Sequence, residues 1–436
     1  MRTPELIAQQ ALARCIGKSH QHPEAARLSL LTTRDDEARG EAAAIDALMR
    51  HNPSSLPLTG TVLTVKACLD VAGWVTHAGS RVLAGSPAAL EDAEIVRRLR
   101  QRGALLRAQT NMTEFAYGAL GLNPWYGTPT TPLITREPCV AGGSSSGGAV
   151  ATSLGMGDLA LGSDTSGSVR IPAAFCGVVG FKPTKGRYPE SGLSYLSPSF
   201  DVPGMLARNV DLCRRVDHTL TSAAPYFPSA HRSLQGVRVL VPQSWLSGQL
   251  DTAVGRAFDD CLSRLADAGI LIQGCDLPML EECGRATSEG GVIAAEAYQL
   301  HAARLSNHLQ DYDPRVGPRI LSGADIKAHA YVGAQKRLRQ LACDYHAAMS
   351  GAMAVITPTV PMLPPSLERL ANDAHYTGDN RRAFQLTEFA NRLNLPSISL
   401  PVHTRHAEPV GLLLTGKSGQ DLALLELAEQ VEALLL

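Results

Sequence analysis

The chain has 436 residues, 44% of them hydrophobic, so it can form one large domain or two to three smaller ones. Its 40 basic and 41 acidic residues give a formal net charge of −1. This balance argues against a dedicated nucleic-acid or anionic-membrane binder, which would have a basic excess. Nine cysteines without a CxxC pair predict neither a disulfide framework nor a metal finger, and we expect reduced thiols in a cytoplasmic protein. No signal-peptide pattern and no membrane-span pattern is recognised.

The first part of the chain predicts helices, followed by a buried strand that ends at a lysine. Residues 4–50 have apolar and Ala positions at three- and four-residue spacing, which is typical of helices. Residues 58–65 are rich in β-branched and apolar side chains and predict a buried strand that delivers Lys66 at its end. A charged amphipathic helix is expected at 92–102, with its arginines on a solvated face, and a short strand at 104–108.

A block rich in Gly, Ser and Thr, residues 139–170, differs from the rest of the chain. Its serine-rich ends are 142–148 and 164–168. The apolar, Ala-rich stretch 149–161 between them predicts a buried helix followed by a strand. Because its middle is so apolar, the block is not a flexible linker but a structured part of the core.

The C-terminal part continues the alternation of helices and short strands. Helices are expected at 250–271 and about 287–350, strands at 353–357 and 396–402, and a closing helix from Asp421 to Leu435. Alternation of this kind indicates an α/β layered fold, and the absence of a repeat or a convincing linker indicates a single domain.

The glycine-rich loop at 142–148 allows two readings based on short motifs. Phosphate binding is one, but the loop lacks the GxxxxGK[ST] pattern and any basic residue. The other is a GxSxG nucleophile elbow at 143–147, centred on Ser145. An elbow requires a preceding strand, and residues 138–140 are a poor strand, so this interpretation is disfavoured.

The two serine-rich segments and the lysine strand together resemble the amidase signature family. Residues 142–147 (GGSSSG) resemble its GGSSxG segment, and residues 164–172 (DTSGSVRIP) resemble its D-T-G-G-S-[IV]-R-x-P segment. Ser144 and Ser168 are 24 residues apart (168 − 144), which is the family spacing. The likeness, which includes Thr64-Val65-Lys66, extends from about residue 56 to the C-terminus.

The resemblance implies a fold and a reaction. The fold is a single large α/β domain with a central mixed β-sheet covered by helices on both faces. Its expected parts are N-terminal helices (1–50), catalytic core motifs (56–210), a mostly helical variable region (210–350), and C-terminal strands and helix (351–436). The reaction is hydrolysis of a carboxamide or related C–N bond through an acyl-enzyme, with no metal and no other cofactor.

Carried over position by position, the resemblance also implies the site residues. Ser168 would be the nucleophile, Ser144 the bridging serine, with a cis peptide bond, and Lys66 the base. The loop Thr113–Tyr117, with Ala116, would line the substrate pocket. Small side chains would let an oxyanion hole form from the backbone N–H groups of Thr165, Ser166, Gly167 and Ser168.

The chemistry of a serine–lysine pair supports these roles independently. A serine hydroxyl is a poor nucleophile until a neighbour accepts its proton. Lysine can accept it only when neutral, and burial favours the neutral amine by lowering its pKa. Lys66 follows an apolar strand, so its burial is expected. Asp164 is expected to accept loop N–H groups, and Arg170 to be an internal salt-bridge partner.

Several positions depart from the family pattern, among them Ala67 and Gln109, and two of the departures concern backbone geometry. Ser166 stands where the family usually has the first glycine of Gly-Gly, and a serine would be strained there if the backbone needs a positive φ. Asn394 stands where a glycine is usual, and asparagine is the best substitute for glycine in left-handed geometry.

Two rival functions remain open. One is the glutaminase subunit of a tRNA-dependent amidotransferase, which would require partner subunits. The loop 142–148 and residues 186–189 look closer to stand-alone members, such as indoleacetamide or carboxybiuret hydrolases. The other rival is a non-catalytic binding protein on the same scaffold. The expected partners are a small-molecule amide substrate and a second copy of the chain in a homodimer, with no nucleic acid and no membrane.

Overall fold

The computed structural model describes residues 7–52, 56–222, 233–402 and 408–435. An 11-stranded sheet with the order β1-β3-β2-β4-β6-β5-β10-β11-β9-β7-β8 lies at its centre. The strands are β1 (Leu30–Thr33), β2 (Val62–Lys66), β3 (Leu105–Thr110), β4 (Leu159–Asp164), β5 (Val179–Lys182), β6 (Val202–Ala207), β7 (Arg238–Val241), β8 (Leu271–Gly274), β9 (Ala354–Pro358), β10 (Ser397–Val402) and β11 (Val410–Thr415).

Helices flank this sheet and complete a single α/β domain. Helices α5 and α6 pack against β4 and β5, and α7 and α17 pack against β6 and β10. The helices are α1 (Ile7–Gln21), α2 (Pro23–Ser29), α3 (Asp35–His51), α4 (Glu94–Gln101), α5 (Ser146–Ser153), α6 (Arg170–Cys176), α7 (Val210–Thr221), α8 (Gln243–Leu246), α9 (Thr252–Asp267), α10 (Met279–Glu289), α11 (Val292–His308), α12 (Gly317–Leu321), α13 (Ala328–Ala348), α14 (Leu367–Leu370), α15 (Asp373–Phe384), α16 (Phe389–Arg392) and α17 (Asp421–Leu435).

The sheet is mixed, and its parallel part positions the lysine. Strand β2 pairs in parallel with both β3 and β4, whereas β4 pairs antiparallel with β6. Every residue of β2 and β4 is buried, as is usual for parallel strands covered on both faces. Because parallel strands end at the same edge of a sheet, Lys66 at the end of β2 lies beside Ser163 and Asp164 at the end of β4.

Most of the predicted elements are present. The strand that delivers Lys66 is confirmed, but it begins at Val62 and not at residue 58, since Gly60 adopts a φ of 81° in a turn. Helix α4, strand β3, the α5–β4 pair, strands β9 and β10, and the closing helix α17 are confirmed. Helix α4 has the expected solvated face, where Arg97 and Arg98 pair with Glu94.

The errors in the predicted secondary structure concern short strands. The helical prediction for 4–50 is wrong at Leu30–Thr33, which forms β1 and pairs antiparallel with β3, and residues 4–6 lie outside the described residues. The described residues of the region 210–350 are mostly helical, as expected, but they also contain β7 and β8, which no sequence pattern predicted. Strands of four residues have too few alternating positions to be recognised, and their partners are distant in sequence. In the part of the chain that the structure describes, no helix has the length and apolarity needed to span a membrane.

Candidate active site

Lys66 is a fully buried lysine with polar neighbours. Its Nζ donates to Ser144 Oγ at 2.8 Å and to Ser163 Oγ at 2.9 Å, and lies 3.3 Å from the Ser163 carbonyl oxygen. Burial lowers the pKa of Lys66, and this effect exceeds the opposing influence of nearby acidic groups such as Asp201 and Asp164. Burial therefore shifts the balance towards the neutral amine, the form that can accept a proton.

Ser144 lies in a loop that is fixed by close packing. The Gly143–Ser144 peptide bond is cis, as the resemblance implies. A Cβ on Gly143 would lie 2.6 Å from the backbone nitrogen of Gly121 and 2.8 Å from Thr113 Oγ1, so only glycine fits. The Gly143 N–H donates to the carbonyl oxygen of Ala119 at 2.6 Å, and the Thr113 N–H donates to that of Ser144 at 3.1 Å. These contacts hold the Ser144 hydroxyl against Lys66.

The hydroxyl of Ser168 is the third polar group of the site. Its Oγ is buried and has no hydrogen-bond partner among the described residues. The Ser168 carbonyl oxygen accepts from the Ser145 N–H at 3.1 Å, and this bond ties the two serine-rich loops together. The structure thus brings Lys66, Ser144 and the loop of Ser168 to one edge of the sheet, as predicted.

Ser145, the centre of the formal GxSxG match, is unsuited to be a nucleophile. Its Oγ faces β4, where a Cβ on Gly162 would lie 2.7 Å from it. Helix α5 follows at Ser146, but the residues before it, 141–145, do not form a strand. The strand–turn–helix context of a nucleophile elbow is therefore incomplete.

The peptide groups of the second serine-rich loop are oriented from outside. The carbonyl oxygens of residues 164 to 167 each accept one hydrogen bond. Their donors are Asn391 Nδ2 (2.8 Å), Arg392 Nη1 (2.9 Å), Thr387 Oγ1 (2.6 Å) and the Ile171 N–H (2.8 Å), in that order. In a planar trans peptide the N–H points away from the carbonyl oxygen. The N–H groups of Thr165, Ser166 and Ser168 therefore point away from these donors, and none has an acceptor among the described residues.

Gly167 differs from its neighbours. Its N–H donates to Asp164 Oδ1 at 2.8 Å, so it differs from the predicted oxyanion donors beside it, and its contact with an oxyanion stays a prediction. The physical reason is that the buried Asp164 carboxylate points towards its own loop and accepts the hydrogen bond from this N–H. Gly167 has a φ of 142°, and a Cβ there would overlap Thr387 Oγ1, so glycine is required at 167.

The two departures that concern backbone geometry, Ser166 and Asn394, fit the observed backbone. Ser166 does not adopt a positive φ, so the strain considered for a serine at this position is absent. Its Oγ accepts a hydrogen bond from Arg392 Nη2 at 2.8 Å. Asn394 has a φ of 55°, which confirms the left-handed geometry expected there.

Asp164 and Arg170 form a fully buried ion pair. Arg170 Nη2 and Nε donate to Asp164 at 2.9 and 3.1 Å, and the Val169 N–H donates at 3.0 Å. Burial alone would raise the pKa of Asp164, but the charge and hydrogen bonds of Arg170 hold this pKa well below its ordinary range. The carboxylate is therefore charged and structural, as predicted.

Sequence reasoning missed two groups near Lys66. Ser163 accepts from the lysine, and the parallel pairing of β2 with β4 would have indicated it. Asp201 is fully buried and accepts hydrogen bonds from the Thr165 hydroxyl and the Leu196 N–H. Burial raises the pKa of Asp201 to about 6. No sequence signal identified it, because it lies in a loop before β6.

The predicted pocket loop borders the first serine-rich loop. Phe115 and Ala116 have positive φ values of 49° and 59°, and the Ala116 N–H donates to the Thr113 carbonyl oxygen at 2.9 Å. The Arg319 guanidinium lies 4.0 Å above the centre of the Tyr117 ring. Contact of Ala116 with substrate stays a prediction.

Known proteins resemble this chain in sequence and in structure. The family described as Amidase matches residues 14–425. The chain is 32% identical to a 2-amino-5-chloromuconic acid deaminase of Comamonas testosteroni, over 100% of this chain and 94% of the relative. It is 30% identical to a glutamyl-tRNA(Gln) amidotransferase subunit of Symbiobacterium thermophilum, over 97% and 91%. A crystal structure of an amidase superposes with a TM-score of 0.87 at 33% identity, covering 98% of this chain and 96% of the other.

Proposed function

The chain belongs to the amidase signature family and hydrolyses C–N bonds, and on that premise we propose that Ser168, Ser144 and Lys66 are its catalytic residues. The observation that supports this most directly is the 2.8 Å hydrogen bond between Lys66 Nζ and Ser144 Oγ, in full burial. The Ser168 hydroxyl in the adjoining loop, which has no hydrogen-bond partner in the part of the chain that the structure describes, is the proposed third member.

The proposed reaction begins with acylation of the enzyme. Ser168 Oγ attacks the carbonyl carbon, while its proton passes to Ser144 and the Ser144 proton passes to neutral Lys66. The oxyanion that forms accepts hydrogen bonds from the free N–H groups of Thr165, Ser166 and Ser168. As the C–N bond breaks, Lys66 returns a proton through Ser144 to the leaving nitrogen, and ammonia or an amine departs.

Deacylation uses the same relay. A water molecule attacks the acyl carbonyl carbon while its proton passes through Ser144 to Lys66. The bond to Ser168 Oγ then breaks, and this oxygen recovers a proton from the relay as the carboxylic acid is released. Asp164 and Arg170 hold the loop during both steps without exchanging protons.

Replacement of the nucleophile tests the assignment. In Ser168→Ala, we expect amide hydrolysis to fall by at least about three orders of magnitude, because the covalent route is lost. A fluorophosphonate should label the native protein on the peptide that contains Ser168, identified by mass spectrometry. Full activity in Ser168→Ala, or labelling on another serine, would contradict the assignment. Absence of labelling in the native protein would favour a non-catalytic binding protein.

The substrate is best sought with a panel. One relative is named a deaminase of 2-amino-5-chloromuconic acid, so this compound belongs in the panel beside aliphatic, aryl, ureido and carbamate substrates. The purified chain alone should release ammonia or amine from at least one of them.

The similarity to one component of an amidotransferase favours a second candidate function, the supply of ammonia to partner subunits. That function predicts hydrolysis of glutamine only when the partners co-purify. Gel filtration of the active protein tests the predicted homodimer in the same preparation. The homodimer and the cytoplasmic location stay predictions.

A further inference from the structure

Arg392 is a buried arginine bound to the loop that precedes Ser168. It ends α16, and its side chain is 2% exposed. Its Nη1 donates to the Thr165 carbonyl oxygen at 2.9 Å and its Nη2 to Ser166 Oγ at 2.8 Å. Glu388 accepts from Nη2 at 3.2 Å, and the guanidinium lies 4.5 Å from the centre of the Phe200 ring. The guanidinium is thus held in one position and binds two successive residues of the loop.

These contacts fix one peptide group in particular. In the peptide group between Thr165 and Ser166, the carbonyl oxygen accepts a hydrogen bond from Arg392. The N–H of the same peptide group must therefore point to the opposite side. Ser166 Oγ is bound to the same guanidinium, which restrains rotation of the residue about its backbone. A glycine at 166 would lack this second anchor.

We propose that Arg392 is a positioning residue that directs the Ser166 N–H towards the developing oxyanion. This rests on the proposed function, since it assumes that Ser168 forms a tetrahedral intermediate. Arg392 does not touch the reacting atoms; it acts through Thr165 and Ser166. Its loss should weaken binding of the oxyanion more than binding of the uncharged substrate.

The test compares Arg392→Met with a matched variant, Arg107→Met. Arg107 is also 2% exposed, and it likewise binds a carbonyl oxygen, that of Met156 at 2.6 Å, and a partly exposed carboxylate, that of Asp35 at 2.9 Å. It lies on β3 and contacts neither serine-rich loop through these bonds. Both variants lose a buried arginine, so both should be less stable to heat. Kinetics are measured at a temperature at which both are folded.

We expect Arg392→Met to lower kcat about 10- to 100-fold with KM changed less than about threefold, since complete loss of one oxyanion donor costs about 100- to 1000-fold and misdirection of a donor should cost less. The affinity for phenylboronic acid, which forms a tetrahedral adduct with a serine, should fall in parallel with kcat/KM. Arg107→Met should keep the native kcat and boronate affinity. An unchanged kcat, a change in KM alone, or an equal loss in both variants would overturn the proposal.

Ser166→Gly isolates the hydroxyl anchor. Alone, it should lower kcat less than Arg392→Met does, because the Thr165 contact persists. In the Arg392→Met background it should have almost no further effect, and full additivity would refute action through Ser166. If Arg392→Met does not fold, Arg392→Lys replaces it in the experiment. Lysine keeps the charge but lacks the guanidinium group, whose two nitrogens donate to two acceptors at once.

The proposed function and this inference can fail separately. If the native protein is not labelled by a fluorophosphonate at Ser168, the proposed function fails. If the native protein is labelled and Arg392→Met is labelled at the same rate, only the role of Arg392 fails.

Discussion

The two serine-rich loops that meet at the site are held by different kinds of interaction. The first loop consists of residues 142–146 of the serine-rich segment 142–148. It contains no charged side chain, and its glycines pack against backbone atoms of neighbouring segments. The second loop, residues 164–168, is held by the Asp164–Arg170 ion pair and by side chains from α16 and the turn before it.

Their proposed tasks explain the difference. The first loop must bring one hydroxyl to Lys66, and close packing is enough for that. The second must leave several N–H groups free for substrate, so these groups cannot be used to fix the loop itself. Its carbonyl oxygens and Asp164 are bound instead. Substitutions should therefore act through steric overlap in the first loop and through uncompensated charge in the second.

The largest effect is expected from Arg170→Met in the second loop. The Asp164 carboxylate would stay buried without its partner, which typically lowers the free energy of unfolding by about 3–5 kcal/mol. Denaturant unfolding measures this loss. Arg27→Met is the control, because Arg27 and Glu24 form an exposed pair that should contribute little. Equal stability of the two variants would mean that charge does not hold this loop.

A smaller loss is expected from Gly143→Ala in the first loop. The new Cβ would lie 2.6 Å from the backbone nitrogen of Gly121, which cannot move aside cheaply. Overpacking of this kind costs about 1–3 kcal/mol, and displacement of Ser144 should also lower kcat. Gly40→Ala in α3 has open space around it and should be neutral or stabilising. If thermal unfolding shifts equally in both variants, close packing is not what fixes the first loop.

The pH dependence of the rate sharpens the comparison. The first loop contacts Lys66, which must be neutral, whereas Asp164 in the second must stay charged. Burial lowers the pKa of Lys66, so kcat/KM should rise about tenfold per pH unit at acidic pH and level off below the ordinary pKa of lysine. The pKa of Asp164 is held well below the ordinary range of a carboxyl group. Titration of Asp164 should therefore add no second limb to the pH profile of kcat/KM in the ordinary carboxyl range.

A second buried lysine provides the control for this profile. Burial, with the charge of Arg170, lowers the pKa of Lys182 to about 7, and its Nζ donates to the Pro183 carbonyl oxygen at 2.7 Å. Lys182→Met should keep the acidic limb if Lys66 is the base. Loss of the limb in this variant would assign it to Lys182.

The sequence predicted the first loop more completely than the second. Lys66, Ser144 and Ser168 could be predicted as candidate catalytic residues because they lie in local motifs, and a short apolar strand precedes the lysine. Arg392 and Thr387 could not, because they are more than 200 residues away from the loop they bind, and no local pattern links them to it. The loss of the Gly167 N–H to Asp164 depends on exact loop geometry, which spacing does not specify.

The smallest effect is expected from Ser145→Ala, and it separates the two loops most clearly. Ser145 Oγ has no hydrogen-bond partner among the described residues and faces β4, so its removal breaks no hydrogen bond to them. Alanine preserves the shape, and we expect kcat and the unfolding midpoint to stay near the native values. Ser144→Ala beside it should lower kcat severely, because the relay to Lys66 is cut. An inactive Ser145→Ala with an active Ser168→Ala would place the nucleophile in the first loop. The free N–H groups of the second loop would then have no reaction to serve.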